Sequence, residues 1–492
     1  MERPLFIAID LGAGSGRVFL AGVDPGEFLL EEIHRFQYPP RDIHGILRWD
    51  LKHIFGEIKI GLKTAGQRAR ELERPVRSIG IDSWGVDYGL LDHAGNLLAD
   101  PACYRDDRTK DAMEQALALV PRSEIFDKTG IQFQPFNTIY QLFSEKSLDG
   151  VADILLLPDL LNYFLTGKKV NEYSNATTTQ LVNAATGDWD VDLINRLGLP
   201  KGILQQIVPA GTEIGALREE IKDELGFENV KVIAPATHDT ASAVAGAPLT
   251  EKTAYISSGT WSLIGVERNE ALINEEAARQ NFTNEGGAYG TIRFLKNVMG
   301  LWIFESCRRE WESAGLDVAY DKLLGEMSAA DSFEAFIFPD DPRFLNPPSM
   351  LRAIEEQLIE TGQEFKSTPA AISKMVFDSL AFRYASVLRS IEALTGKSIE
   401  SIQILGGGGR IAYLNQMTAN ASGLTAQSGL TEATVVGNVL VQAITAGRFD
   451  SLATARRHVA NSFQLEEFMP LSSLQIDEAT RRYEAIENRF LK

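Results

Sequence analysis

Leu5-Phe6-Ile7-Ala8-Ile9-Asp10-Leu11-Gly12-Ala13-Gly14-Ser15-Gly16-Arg17 combines an apolar run, a terminal carboxylate and alternating glycines. The run predicts a buried strand over residues 5–11, the glycines a tight turn over 12–16, and residues 18–23 a return strand. A third strand is expected over residues 29–36. Such a turn can aim backbone N–H groups at phosphate oxygens, with Ser15 and Arg17 as further donors. Asp10 at its mouth can share Mg²⁺ with those phosphates, because this ion takes a carboxylate or two and leaves its other positions to water and phosphate. The same residues also suit an ordinary β-hairpin with a capping Asp, and the local sequence leaves both readings open.

Two better-known phosphate loops are excluded. Gly12, Gly14 and Gly16 do not make G-x-G-x-x-G, since Arg17 fills the last place and a strand follows instead of a helix. Thr395-Gly396-Lys397-Ser398 has Ile391 where a P-loop needs its first glycine, and it follows a helix.

Further along, Leu51, Ile54, Phe55, Ile58 and Leu62 mark one face of an amphipathic helix, and a strand is expected over residues 76–81. Near mid-chain the opening pattern recurs. Ala254-Tyr255-Ile256-Ser257-Ser258-Gly259 leads into Thr260-Trp261-Ser262-Leu263-Ile264-Gly265-Val266, again an apolar strand, a glycine turn and an apolar strand ending Gly-Val. The repeat suggests duplication. It puts a boundary between Ala245 and Glu251, with lobes at 1–247 and 248–492. In the second half, Thr368 as N-cap, Pro369 at the first helical position and Gly396 after Leu394 punctuate a long helix. A strand over 402–405 runs into Gly406-Gly407-Gly408-Gly409, and helices are expected over 413–421 and 435–446. The fold class is therefore α/β, in two lobes of similar size.

Composition narrows the function. The 492 residues are 44% hydrophobic and 23% charged, which fits a globular chain and not a disordered one. With 67 acidic against 48 basic residues the net charge is −19, so binding to nucleic acid or an anionic membrane is not expected. Cys103 and Cys307 are too few for a disulfide framework and point to a reducing, cytoplasmic setting. The apolar run ending at Asp10 is too short for a signal peptide, and no membrane-length apolar stretch occurs. The six histidines form no H-x-x-x-H or His/Cys cluster, which gives zinc no support.

A phosphate donor needs an acceptor and a base. His238-Asp239-Thr240 follows the strand-like Val232-Ile233-Ala234 and precedes the small-residue segment 241–247. Asp239 thus lies near a helix N-terminus, where it can act as an N-cap or take a proton from an alcohol attacking a γ-phosphorus. The four glycines of 406–409 can serve as a flexible connector or leave room for a flat purine against backbone.

With these segments the chain resembles the FGGY family of carbohydrate kinases, within the actin/hexokinase superfamily. The likeness runs over nearly the whole length. It includes Ala8–Arg17, Gly80-Ile81-Asp82-Ser83-Trp84-Gly85-Val86-Asp87, Asn175-Ala176-Thr177-Thr178-Thr179, His238-Asp239-Thr240, Thr283-Asn284-Glu285-Gly286-Gly287 and Asn297-Val298-Met299-Gly300-Leu301-Trp302. The resemblance implies two ribonuclease-H-like lobes around a central ATP and sugar cleft. It puts Ala13, Gly14, Ser15, Gly16 and Arg17 on nucleotide phosphates, and Thr260, Glu305, Gly406, Gly407 and Gly408 on nucleotide from the second lobe. It puts Gly85, His238, Asp239, Thr240 and Asn297 on sugar, with Asp239 as catalytic base and Asp10 toward Mg²⁺. Glu305 departs from a Gln that relatives can carry, and Ile411 from an Asn, so no adenosine contact is expected at Ile411. The implied activity is ATP-dependent phosphorylation of the C1 hydroxyl of a ketohexose, L-rhamnulose fitting best and L-fuculose or L-xylulose being alternatives. A non-catalytic sugar- or nucleotide-binding protein and an ATP-driven chaperone share the scaffold. The expected partners are the ketose and MgATP, in a monomer or small homo-oligomer. Whether Trp84, Phe133 or Phe136 touches sugar or only packs is left open.

Overall fold

The computed structural model describes residues 3–327 and 330–491. The chain forms two compact units, each assembled from separate stretches. Unit 1 comprises Met1–Pro248, Glu267–Phe294 and Glu432–Phe463; unit 2 comprises Leu249–Val266, Leu295–Thr431 and Gln464–Lys492. The chain first passes from unit 1 to unit 2 after Pro248. The linear division departs from the structure where two later stretches return to unit 1.

Unit 1 is built on β1 (Leu5–Gly12), β2 (Ser15–Asp24), β3 (Glu27–Gln37), β4 (Val76–Ser83), β5 (Glu213–Ala216) and β6 (Lys231–Ile233), in the sheet order β5-β6-β4-β1-β2-β3. β4 runs parallel to β1 and to β6, and the remaining pairs are antiparallel. The uninterrupted apolar run of β1 has a direct cause: both faces are covered. Leu5, Ile7, Ile9 and Leu11 pack with Ile54, Ile58 and Leu62 of helix Leu51–Glu71. Phe6 and Ala8 pack instead with Val435, Val439 and Ala443 of helix Ala433–Thr445. Each of the Leu, Ile, Val and Phe side chains among them contributes about 1.5–3 kcal/mol when fully buried. The first helix starts where Asp50 accepts from His53 N at 2.9 Å, a cap that the apolar periodicity alone did not reveal.

Helix Ala433–Thr445 is the physical reason for the return to unit 1. Besides its apolar face, it sends Gln442 Nε2 to Ile7 O at 3.0 Å and Asn438 Nδ2 to Gly80 O at 3.2 Å. It crosses helix Asp239–Gly246 at glycines: a Cβ on Gly437 would fall 1.7 Å from Ser242 O, and one on Gly246 2.5 Å from Ala433 O.

Unit 2 repeats the plan. Its strands are β7 (Thr253–Ser258), β8 (Trp261–Arg268), β9 (Ile292–Met299), β10 (Ser401–Leu405), β11 (Thr425–Ser428) and β12 (Glu466–Phe468). The sheet order is Thr283–Gly286 at the edge, then β9-β8-β7-β10-β11-β12, with β7, β10 and β11 parallel. A strand meander followed by parallel strands and an antiparallel edge thus occurs twice, as the repeated glycine turn suggested. The long helix spans Pro369–Thr395 with Thr368 Oγ1 accepting from Ala371 N and Gly396 at φ 66, as its punctuation predicted.

Candidate active site

In unit 1 the candidate residues gather at the carboxyl ends of the parallel strands, where open α/β sheets place ligands. Gly12 pairs with Ser15 across a two-residue hairpin, leaving Ala13 and Gly14 at the tip, with Gly14 at φ 140. Ala13 and Ser15 are exposed, whereas Gly16 is buried, and a Cβ there would meet the Phe36 ring at 2.4 Å. Gly14 N–H turns inward to Gly12 O at 2.7 Å. Tyr38 clamps the turn from beneath: its N–H donates to Gly14 O at 2.9 Å, and its hydroxyl lies 2.6 Å from Gly12 O and 2.9 Å from Ser15 O.

Asp10 stands opposite Arg17 in the β1–β2 ladder and accepts a hydrogen bond from it, while the other guanidinium nitrogen reaches Glu432. Burial opposes the charge on Arg17, but Asp10 and Glu432 together outweigh it and hold the guanidinium more firmly protonated than usual. On β4, Asp82 lies in register with Asp10. It is fully buried; one carboxyl oxygen accepts from Asn438 Nδ2 at 2.5 Å, and the other has no hydrogen-bond partner. Burial first, and then the charge of Asp10, push its pKa well above the ordinary carboxylate range.

Ser83 N–H, at the end of β4, donates to Thr237 O at 2.9 Å and so ties the next residues, His238 and Asp239, to the same sheet edge. Asp239 opens helix Asp239–Gly246, where its Oδ1 accepts from Thr240 N at 2.6 Å and Thr240 Oγ1 at 3.1 Å. Burial and the charge of Asp10 push its carboxyl up to about 7, although 29% of the side chain remains open to solvent. Neighbouring His238 is buried; its Nδ1 lies 3.0 Å from Arg293 Nη2, and its Nε2 3.5 Å from Asp239 Oδ1. Burial and Arg293 lower its pKa well below that of a free imidazole.

Gly85 sits in a loop where a Cβ would approach Thr178 Oγ1 to 3.0 Å, and that hydroxyl accepts from Val86 N at 3.2 Å. Trp84 belongs to the core. It stacks on Tyr38, and its indole N–H donates to Asp87 Oδ2 at 2.9 Å, an oxygen shared with Trp49 Nε1 at 2.7 Å. Burial pushes Asp87 up to about 6 despite these donors.

Unit 2 holds the second glycine turn and the glycine run. Thr260 is exposed at the β7–β8 turn, and its carbonyl accepts from Gly300 N at 3.1 Å and Trp302 N at 3.3 Å. Gly300 is required for this seating, because a Cβ would lie 2.5 Å from Ser262 Oγ. Gly406, at φ 79, and the open Gly407 lead into Gly408, whose Cβ would collide with Ser258 Oγ at 2.0 Å. Glu305 lies in the first turn of helix Trp302–Ser313 and accepts from Arg308 Nε at 3.1 Å. Asn297 lies half-buried on β9, and Ile411 is 1% exposed. Both cysteines are buried and free; burial pushes Cys103 up to about 12 and Cys307 likewise upward.

The structure therefore brings Asp10, the 12–17 turn, Gly85 and His238-Asp239-Thr240 together on unit 1, while Thr260, Asn297, Glu305 and Gly406–Gly408 belong to unit 2. Sequence reasoning missed Tyr38, Asp82, Glu285 and Arg293. Two of these had a signal: Asp82 ends Ile79-Gly80-Ile81 as Asp10 ends Ile7-Ala8-Ile9, and Arg293 interrupts an apolar strand. Among the described residues no three His, Cys, Asp or Glu are arranged to hold a metal ion. No helix among them is long and apolar enough to cross a membrane.

Comparison with known proteins decides the family. The model of the N-terminal domain of the FGGY family of carbohydrate kinases matches residues 5–246, and that of the C-terminal domain matches residues 254–446. The chain belongs to the FGGY family of carbohydrate kinases. A rhamnulokinase of Oceanobacillus iheyensis is 42% identical over 464 residues, covering 93% of this chain and 97% of its own. A rhamnulokinase of Bacillus subtilis is 40% identical over 471 residues, covering 95% of each chain. Among solved structures, a ligand-bound xylulose kinase from Lactobacillus acidophilus superposes with TM-score 0.79 at 16% identity, covering 99% of this chain and 97% of that one. A Plasmodium falciparum glycerol kinase with ADP gives TM-score 0.77 at 14% identity, covering 100% of this chain and 98% of that one. At such identities the likeness establishes the shared fold. This FGGY chain is accordingly a sugar kinase with a two-domain actin/hexokinase-like architecture.

Proposed function

We propose that the chain transfers the γ-phosphoryl group of ATP to the C1 hydroxyl of L-rhamnulose, releasing ADP and L-rhamnulose 1-phosphate. The observation that carries the chemistry is Asp239: a carboxyl held up to about 7, partly open to solvent, at the sheet edge that also carries Asp10 and the glycine turn. A base near neutrality is matched to proton removal from an alcohol. As the hydroxyl oxygen bonds to the γ-phosphorus and the bond to ADP breaks, its proton passes to Asp239.

Positioning and charge stabilisation do the rest, since phosphoryl transfer asks little covalent chemistry of the protein. The exposed Ala13 and Ser15 of the turn and the Arg17 guanidinium supply donors to phosphate oxygens, which reconciles nucleotide binding with a net charge of −19. Thr260, Gly406 and Gly407 supply nucleotide contacts from unit 2, with Gly408 behind them. Gly85, His238, Thr240 and Asn297 contact the sugar. The donor set suits Mg²⁺: Asp10 offers a carboxylate, and in-register Asp82 carries a buried oxygen without a hydrogen-bond partner. When bound, the ion neutralises phosphate charge, and a small number of carboxylates is what Mg²⁺ takes from protein.

The relatives at 40–42% identity support L-rhamnulose as the ketose. The cytoplasm, where ATP is available, is the proposed setting. The test is ADP release by the purified chain with L-rhamnulose, L-fuculose and L-xylulose in turn. The highest kcat/KM is expected with L-rhamnulose; a preference for another ketose would overturn the substrate, and no ADP with any of them would overturn the activity.

A further inference from the structure

Arg293 has no role in the chemistry described above, yet its side chain is wholly buried. It is anchored on the 283–286 strand: Nε donates to Gly286 O at 2.9 Å and Nη2 to Glu285 Oε2 at 3.0 Å, while Gly286 N is held by Thr177 Oγ1 at 2.8 Å. Its Nη1 is buried without a partner. The same Nη2 lies 3.0 Å from His238 Nδ1.

A guanidinium carries only donors, so His238 Nδ1 must offer its lone pair and the ring proton must sit on Nε2. Among the described residues, Arg293, Glu285 and Asp239 face the ring. Glu285 Oε2 is 3.5 Å from Nδ1, farther than Arg293, and is already occupied by that arginine. Asp239 Oδ1 is 3.5 Å from Nε2, beyond a good hydrogen bond, so the Nε2–H is not consumed by its neighbour. Adding a proton at Nδ1 would break the bond to Arg293 and set two cations side by side in a buried place.

We propose that Arg293 is a positioning residue: by bonding to Nδ1 it holds His238 as the neutral Nε2–H tautomer, a hydrogen-bond donor to a hydroxyl oxygen of the sugar beside Asp239. The proposal rests on the reading of Asp239 as base and His238 as a sugar contact. It adds a specificity element, because a ring that can only donate at Nε2 selects a hydroxyl placed to accept. It also keeps a second positive charge away from the base.

The experiment combines imidazole ¹⁵N spectroscopy with kinetics on the full-length chain, the His238 signal being assigned with His238→Gln. The wild type is expected to show the Nε2–H tautomer from pH 6 to 8.5, without imidazolium. In Arg293→Met the ring should populate both tautomers and titrate in that range. The ketose KM should then rise about tenfold or more, with the ATP KM within twofold. Arg293→Lys, which keeps a buried cationic donor, should recover part of the loss. A wild-type ring protonated on Nδ1, or charged at pH 7, overturns the proposal without needing any variant to fold. So does an unchanged ketose KM in a folded Arg293→Met. Failure of the base reading is seen separately: Asp239→Asn would then retain turnover, whereas the tautomer signal would be unaffected.

Discussion

Asp10 on β1 and Asp82 on β4 are register partners across a parallel pair of strands, so two carboxyl groups occupy one sheet edge. Water reaches little of either residue, at 7% and 0% exposure. Negative charge on neighbouring carboxyls in a low dielectric is mutually unfavourable, and burial together with Asp10 pushes the Asp82 carboxyl well above the ordinary carboxylate range.

Asp82 should therefore leave a signature in stability. A carboxyl whose folded pKa is raised destabilises the fold as pH climbs from the unfolded value of about 3.9 toward the folded one. Asp82→Asn removes that penalty. Thermal melts should show the variant gaining on wild type at pH 8 and the gap closing toward pH 4, with more Mg²⁺ needed for half-maximal turnover. A gap that widens toward acid would reject the raised pKa.

Asp239 must be ionised to accept a proton, and its carboxyl is held up to about 7. The ketose kcat/KM should fall below pH 7, approaching tenfold per pH unit, and level off above it. Asp239→Asn should lower kcat by about 10²-fold or more while ATP binding, followed by calorimetry, persists. Turnover near that of wild type would defeat the assignment.

Tyr38 supports the phosphate turn from below and stacks on Trp84. Tyr38→Phe keeps the ring and removes only the hydroxyl. A hydrogen bond of about 0.5–1.5 kcal/mol corresponds to a roughly two- to twelvefold rise in the ATP KM, and the ketose KM should stay within twofold. Equal effects on both would mean that the hydroxyl supports the whole site and not the turn alone.

Adjacent glycines of the 406–409 run should respond differently. Gly408→Ala drives a Cβ into Ser258 and should lower Tm, by about 1–3 kcal/mol of stability. Gly407→Ala meets nothing within 4 Å, so Tm should hold while the ATP KM rises. A drop in Tm for Gly407→Ala, or an unchanged ATP KM, would remove it from the nucleotide surface.

These pairs show which parts of the molecule the sequence could disclose. The β1–β2 hairpin, its repeat at β7–β8 and the capped helix Pro369–Thr395 rest on local patterns, and each formed where the pattern lay. The base candidate was also legible, because small residues after Asp239 announced a helix. What stayed hidden depends on distant partners. Gly16 and Gly408 look like ligand glycines in sequence, but Phe36 and Ser258 give each a packing reason. Tyr38 is an unremarkable aromatic until its hydroxyl is seen against Gly12 O. Arg293 becomes meaningful only beside His238, 55 residues away in the chain.

Helix Ala433–Thr445 has a consequence for how the molecule is made. It covers the face of β1 that carries Phe6 and Ala8, and Gln442 bonds to Ile7 across 435 positions. A nascent chain released from the ribosome only as far as Gly246 would display that face bare. At about 5–20 residues per second, the roughly 200 residues still to be synthesised take about 10–40 s. For that interval an apolar face of the first unit lacks its cover, and a gene cut after codon 246 should yield an aggregating fragment that co-expression of the remainder can rescue.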